Sequence, residues 1–348
     1  MRIERPPFSG PSRIRSLQRT PVYDLYWRFA CERQEIYFRR LEGNGPPWTD
    51  DPILQTFKFT NAYRAADRVS QYLIRRVIYD ERYPDAPAEV VFRTLLFKFF
   101  NKISTWELLE QQLGLLTWQS FDPDAYDQVM TQAAASGLRL YSGAYIIPPV
   151  SLDQTRTKHR GHLKLLGLML GSGFVARLQQ SPDFRAVFEL LKSFPSLGDF
   201  LAFQLAIDLN YTSVIDHDEA SFVVAGPGAR DGLSKTFVDA ETIPAEALIA
   251  HMMESQGTEI ARLGLSFRSL WGRPLQLIDC QNLFCEISKY TRVSHPEIAG
   301  LSGRRRIKQI FRPLGPPTQP WFPPKWGINV NIPTYTSTPS SDLFGGEP

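Results

Sequence analysis

The sequence holds little cysteine: Cys31, Cys280 and Cys285 among 348 residues. An odd count without a CxxC pair excludes a disulfide framework and fits a reducing compartment. Cys280 and Cys285 lie five apart and His295 ten further on, which is not the ligand spacing of a zinc site. The other histidines, His159, His162, His217 and His251, form no HExxH or similar motif, so no metal is expected. No apolar run approaches the roughly 18 residues of a membrane helix, and no membrane partner is expected. The first residues, MRIERPPFSGPSRIRS, lack the apolar stretch of a secretory signal. The expected location is intracellular: cytoplasmic in a bacterial or viral setting, nuclear in a eukaryotic one. A P-loop is also missing. G-x-x-x-x-G-K-[ST] anchored on Lys235-Thr236 would need glycine at 229 and 234, where Ala229 and Ser234 stand. No cofactor is evident.

What is present fits a globular chain: 43% hydrophobic, 12% aromatic and 22% charged residues. The length allows one large domain or two ordinary ones. The net charge is only +3, but residues 1–20 and 301–348 each sum to +4, leaving a mildly acidic body. Basic ends can meet nucleic-acid phosphates or simply solvate a tail.

Apolar spacing predicts helices over 21–43, over 52–80 with a break near Thr60-Asn61, and over 88–118, whose first half is apolar nearly all round. Asp122-Pro123 should open a helix to about 137. Two helices are expected within 160–193, then a tight turn at 194–198 and a helix over 199–209. Residues 211–237 read as loop-rich. Helices are expected again at 244–256 and 258–270, and a short one at 280–290. The fold is therefore mainly α, with no 20–50-residue repeat. The expected organisation is a flexible basic arm (1–20), a helical domain (21–300, as one body or as two lobes split near 150) and a basic, then proline-rich, tail (301–348).

Three segments carry candidate chemistry. On a helix, Asn61, Arg64, Arg68 and Gln71 would share one face, with Asp67 placed to hold Arg64. Such a stripe can hold phosphates or a base edge, or tie helices together. Phe194-Pro195-Ser196-Leu197-Gly198-Asp199 resembles the turn of a helix-hairpin-helix motif, in which backbone amides bind a DNA phosphate. Ser196 stands for its first glycine, and Asp199 can equally cap a helix. The stretch 208–236 gathers Asp208, Asn210, Tyr211, Asp216, Asp218, Gly226, Gly228 and Lys235. The carboxylates could serve as general base and the glycine turn and Lys235 could face a phosphate; loop and cap roles account for the same residues.

Several blocks, taken in order, resemble a known family: PWTDDPILQTFKFTNAYRAADRVSQYLI (47–74), LLFKFFNKISTWELLE (95–110), YSGAYIIP (141–148) and LAIDLNYTSVIDHDEASFVVAGPGARDGLSKTF (205–237). They are similar to the DNA base hypermodification proteins. That group includes the helical domain of 5-hydroxymethyldeoxyuridine DNA kinases and the α-glutamyl/putrescinyl thymine pyrophosphorylases. The resemblance spans about residues 25–290. It implies a helical fold distantly like the helix-hairpin-helix DNA glycosylases, in which a catalytic aspartate follows the hairpin glycine. Asp216 and Asp218 follow Gly198 by 18 and 20 residues.

The resemblance further implies DNA as partner and an extruded thymine derivative as substrate. Pyrophosphate on a phosphorylated 5-hydroxymethyluracil would be displaced by an amine. On this expectation Asp208, Asp216 and Asp218 are catalytic. Asn61, Arg64, Arg68, Gln71, Asn210, Tyr211, Gly226, Gly228 and Lys235 bind substrate or phosphate. Ser196, Gly198, Arg304, Arg305 and Arg306 contact the DNA backbone. Without a P-loop the chain is expected not to phosphorylate DNA itself. The alternatives are a non-catalytic DNA-binding module that partners a separate kinase or other base-modification enzymes, and a DNA glycosylase.

Overall fold

Helices account for nearly all regular structure in the computed structural model, which describes residues 18–143, 147–150, 157–313, 315 and 317–335. In chain order they are α1 (Pro21–Leu41), α2 (Pro52–Thr56), α3 (Arg68–Tyr72, continued by a π-helical turn Leu73–Ile78), α4 (Pro87–Phe100), α5 (Ile103–Leu113) and α6 (Pro123–Ala135). Then come α7 (Lys158–Gly171), α8 (Phe174–Gln179), α9 (Phe184–Lys192), α10 (Asp199–Asn210), α11 (Pro227–Thr236), α12 (Ala245–Arg262) and α13 (Leu277–Ser294). Among the described residues there is no β-strand, only three isolated bridges.

The chain divides into two compact units. Among the described residues, the first comprises 18–67, 219–320 and 328–335; the second comprises 68–218 and 321–327. The expected arm lies almost wholly outside the described residues, as does part of the 141–148 block.

In the first unit, α1 starts on a Thr20 cap with Pro21 as its first residue. It buries Tyr23, Tyr26 and Trp27 completely. Tyr26 packs on Phe284 of α13 with ring centroids 4.7 Å apart. Segment 211–237 is not loop throughout: Pro227–Thr236 is helical, capped by Gly226. Proline at the first helical position makes Gly226-Pro227-Gly228 a helix start rather than an open turn. Residues 244–256 and 258–270 do not form two helices, because α12 runs through Gly257 and stops at Arg262. The short helix expected at 280–290 is the middle of the longer α13.

α11 and α13 approach so closely that a Cβ on Gly232 would lie 2.1 Å from the Phe284 carbonyl oxygen, and one on Gly228 would lie 3.0 Å from Cys285 Sγ. The turn at Gly300 is equally tight, with Asp231 Oδ1 2.5 Å from the place of a Cβ.

In the second unit, α4 is buried from Val90 to Phe100, as an all-round apolar helix must be. Its one internal arginine, Arg93, caps neighbouring backbone: Nε donates to Val77 O (2.6 Å) and Nη2 to Ile78 O (2.7 Å). These are terminal carbonyls that the π-helical turn leaves open. α9 and α10 form a helix–turn–helix. Its left-handed residue is Ser196 (φ 65°), while Gly198 has ordinary extended backbone and caps α10. Lys192 and Asp199 bridge the two helices at 2.8 Å.

Helix propensity alone would favour Gly232→Ala by about 1 kcal/mol. The clash with backbone outweighs it. We expect Gly232→Ala to destabilise the fold by about 1–3 kcal/mol in urea unfolding, whereas Gly257→Ala, with nothing within 4 Å of its Cβ, should be neutral or stabilising.

Candidate polar sites in the two helical units

The stripe expected over Asn61–Gln71 does not exist as one helical face. A 3₁₀ turn occupies Arg64–Ala66, and Asp67 is extended (ψ 146°) before α3 begins at Arg68. Arg68 and Gln71 belong to the second unit, Asn61 and Arg64 to the first. A buried non-helical segment must find partners for its backbone groups, and here side chains of α1 and α13 supply them.

Arg33, 8% exposed, donates from Nε to Thr60 O (3.0 Å) and from Nη2 to Asn61 Oδ1 (3.1 Å). Glu286 accepts the Thr60 N–H (3.0 Å), and Asp67 accepts the Asn61 N–H (2.8 Å). Asp279 accepts the Arg64 N–H (2.8 Å) on one oxygen and the Gln276 N–H (3.0 Å), in a capping box, on the other. The Asn61 amide donates to Ala66 O (2.8 Å). Burial controls the charges in this network. It pushes the Asp67 carboxyl up to about 7, against hydrogen bonding from Asn61 and the pull of Arg33 and Arg64. It also pushes Asp279 up to about 7 and Arg33 down to about 10. Two carboxyls poised near neutrality can hold or release a proton under physiological conditions.

The other predicted residues of the first unit are structural partners. Gly226 caps α11 and Gly228 lies against Cys285. Lys235 is 3% exposed. Its Nζ donates to Ser288 O (2.9 Å) and Thr291 Oγ1 (3.2 Å), and it pairs with Asp231 at 3.5 Å. Arg304, Arg305 and Arg306 are exposed.

In the second unit, Asp208 is fully buried and forms an ion pair with Lys98 at 3.3 Å, whose Nζ also donates to Asn101 Oδ1 (2.6 Å). Asn210 clamps the following loop: its amide donates to His217 O (3.0 Å) and accepts the His217 N–H (2.9 Å). The Tyr211 ring meets Trp326 edge-on at 5.6 Å. Gln71 accepts the Trp321 N–H (3.0 Å), and Arg68 is half-buried at the start of α3. Asp216, with a side chain 79% exposed, lies 3.4 Å from Lys325. Asp218 is exposed. The three aspartates therefore have unlike surroundings. Sequence reasoning missed Arg33, Asp279 and Glu286. The one signal for Asp279 was its capping-box spacing from Gln276. Among the described residues, no group of three or more His, Cys, Asp or Glu side chains is placed to hold a metal. No helix among them is long and apolar enough to cross a membrane.

These features define an all-helical class of protein, built of two units that each bury a polar network. Comparison with known proteins narrows it. The family model described as 5-hmdU DNA kinase, helical domain, matches residues 20–300, and the chain belongs to that family. The "5-hmdU DNA kinase" of Bacillus phage SP10 is 24% identical over 310 residues, which is 83% of this chain and 46% of that protein. The chain thus spans about half the length of that relative. No solved structure matches.

Two expectations follow. An acid raised by burial binds protons in the folded state that the unfolded chain has already released, so its contribution to stability is lost as pH rises from about 4 to about 7. In urea titrations at about pH 5 and about pH 8, Asp67→Asn, which keeps the acceptor for Asn61, should lose less stability on going alkaline than the parent. Equal losses would show Asp67 ionised throughout. Separately, Asp208→Ala removes the carboxylate paired with buried Lys98 and should cost about 3–5 kcal/mol by the same assay.

Proposed function

We propose that this chain is a DNA-binding helical module of 5-hydroxymethyluracil base modification, working beside a phosphoryl-transfer domain rather than performing the chemistry. The observation that carries this reading is the family match over residues 20–300, which spans elements of both units. The phage relative's name supplies the substrate: 5-hydroxymethyldeoxyuridine in DNA. The surroundings of the aspartates support binding over amine transfer or glycosylase chemistry. Asp208 is spent on Lys98, and Asp216 is open to solvent beside Lys325. A general base for an incoming amine needs a carboxylate both reachable and shielded; Asp208 is buried, and Asp216 and Asp218 are exposed, so none of the three combines the two.

The test is fluorescence anisotropy with matched duplexes carrying thymine or 5-hydroxymethyluracil, over a salt series. The expected result is affinity that falls steeply with salt, differs by less than about threefold between duplexes, and is unchanged by Asp216→Asn or Asp218→Asn. A preference for the modified duplex above about tenfold, or 1.4 kcal/mol, would overturn the non-catalytic reading in favour of a base-reading pocket. Absence of binding to either duplex would overturn the DNA role.

A further inference from the structure

Residues 304–312, RRRIKQIFR, carry five cations and no acid. They lie beyond the part of the chain that the family model matches. From sequence, Arg304, Arg305 and Arg306 are expected on the DNA backbone, with a solvated tail as the alternative; the structure fixes the segment to the first unit along its length. At the root, Asp231 Oδ1 accepts the Ser302 N–H (2.6 Å). In the middle, Arg292 Nη1 donates to Arg306 O (3.2 Å), and Ile307 is 9% exposed. Further on the strap pairs with the residues after α2: Lys58 N–H donates to Gln309 O (3.0 Å) and Phe311 N–H to Thr56 O (2.9 Å). Phe311 then meets Trp48 edge-on at 6.2 Å, with the Arg40 guanidinium over both rings.

The backbone and one apolar side chain are thus held down while Arg304, Arg305, Arg306, Lys308 and Arg312 remain exposed. Among the described residues none of the five is paired with a carboxylate. Below the strap, Arg292 is held under the ordinary arginine value by burial, with Asp231 drawing it up and Arg304 pushing it further down. Its buried Nε has no hydrogen-bond partner among the described residues. A tail that only confers solubility has no need of these backbone and side-chain anchors, or of like charges held together against their repulsion.

We propose that this pinned strap is the DNA-contact surface of the module, and that it takes the phosphate backbone of duplex DNA without reading sequence. The proposal rests on the DNA role argued above. It goes beyond it in giving the contact to the pinned strap 304–312, where the sequence expectation shared it between Arg304–Arg306 and the α9–α10 turn at Ser196 and Gly198. Pinning removes most of the ordering cost that a free basic tail would meet on binding. Five phosphate contacts would give a slope of log affinity against log salt of about −4.5, at −0.9 for each phosphate.

The experiment uses the full chain, a fluorescent duplex and a salt series, comparing the parent with R304A/R305A/R306A and R304K/R305K/R306K. The expected result is at least a tenfold loss of affinity for the alanine variant, with its slope shallower by about 2.7, and near-parental affinity for the lysine variant. Thermal unfolding of all three should coincide, since only exposed side chains change. A parent that binds and an alanine variant that binds equally, with the same slope, would overturn the strap as the contact surface while leaving the DNA role intact. A parent that binds no duplex would overturn both.

Discussion

The first unit depends on one constraint: residues 58–67 run outside the α-helices, from the exposed Lys58 and Thr60 into the buried Ala62–Ala66, and their N–H and C=O groups have to be answered. Arg33 from α1, and Asp279, Glu286 and Lys289 from α13, answer them by hydrogen bonding. Once α13 carries those side chains on one face, its opposite flank must take α11 at near-backbone distance, which is why Gly232 and Gly228 stand where they do. The same need for partners explains the two carboxyls near neutrality. Asp67 and Asp279 are in place to accept N–H groups, and their raised proton affinity is the cost of burial.

Polar residues inside helices decide how much of the fold was legible. The run Val90–Phe100 announces a buried helix because nearly every residue is apolar, and Asp122-Pro123 announces α6 because cap and first-turn proline act locally. α13 was read too short because Asp279, Gln281, Glu286 and Ser288, all buried, interrupt its apolar period. They face polar partners rather than solvent, which spacing cannot tell apart. The family resemblance was legible for a different reason, since it rests on long blocks in fixed order and not on any one period.

The candidate site was less legible than the fold. Asn61 and Arg64 were singled out and do sit in a polar network, but as recipients of contacts from α1 and α13 that no local spacing encodes. Lys235 was read as a phosphate ligand, and its nitrogen is occupied by Ser288 and Thr291 instead. A stripe drawn on an assumed helix fails wherever one residue, here Asp67, turns the chain to extended geometry.

The two units are unequal in how the ribosome delivers them. Most of the second unit is one continuous stretch, Arg68–Asp218, set inside the sequence of the first. Its helices can associate as they emerge. α1 cannot: its partners include Cys280 and Phe284 of α13, which are made only after the whole inserted stretch. At about 5–20 residues per second that interval is on the order of ten seconds or more. Throughout it Tyr23, Tyr26 and Trp27 wait without the helix that will bury them. The first helix among the described residues is therefore among the last to reach its final place.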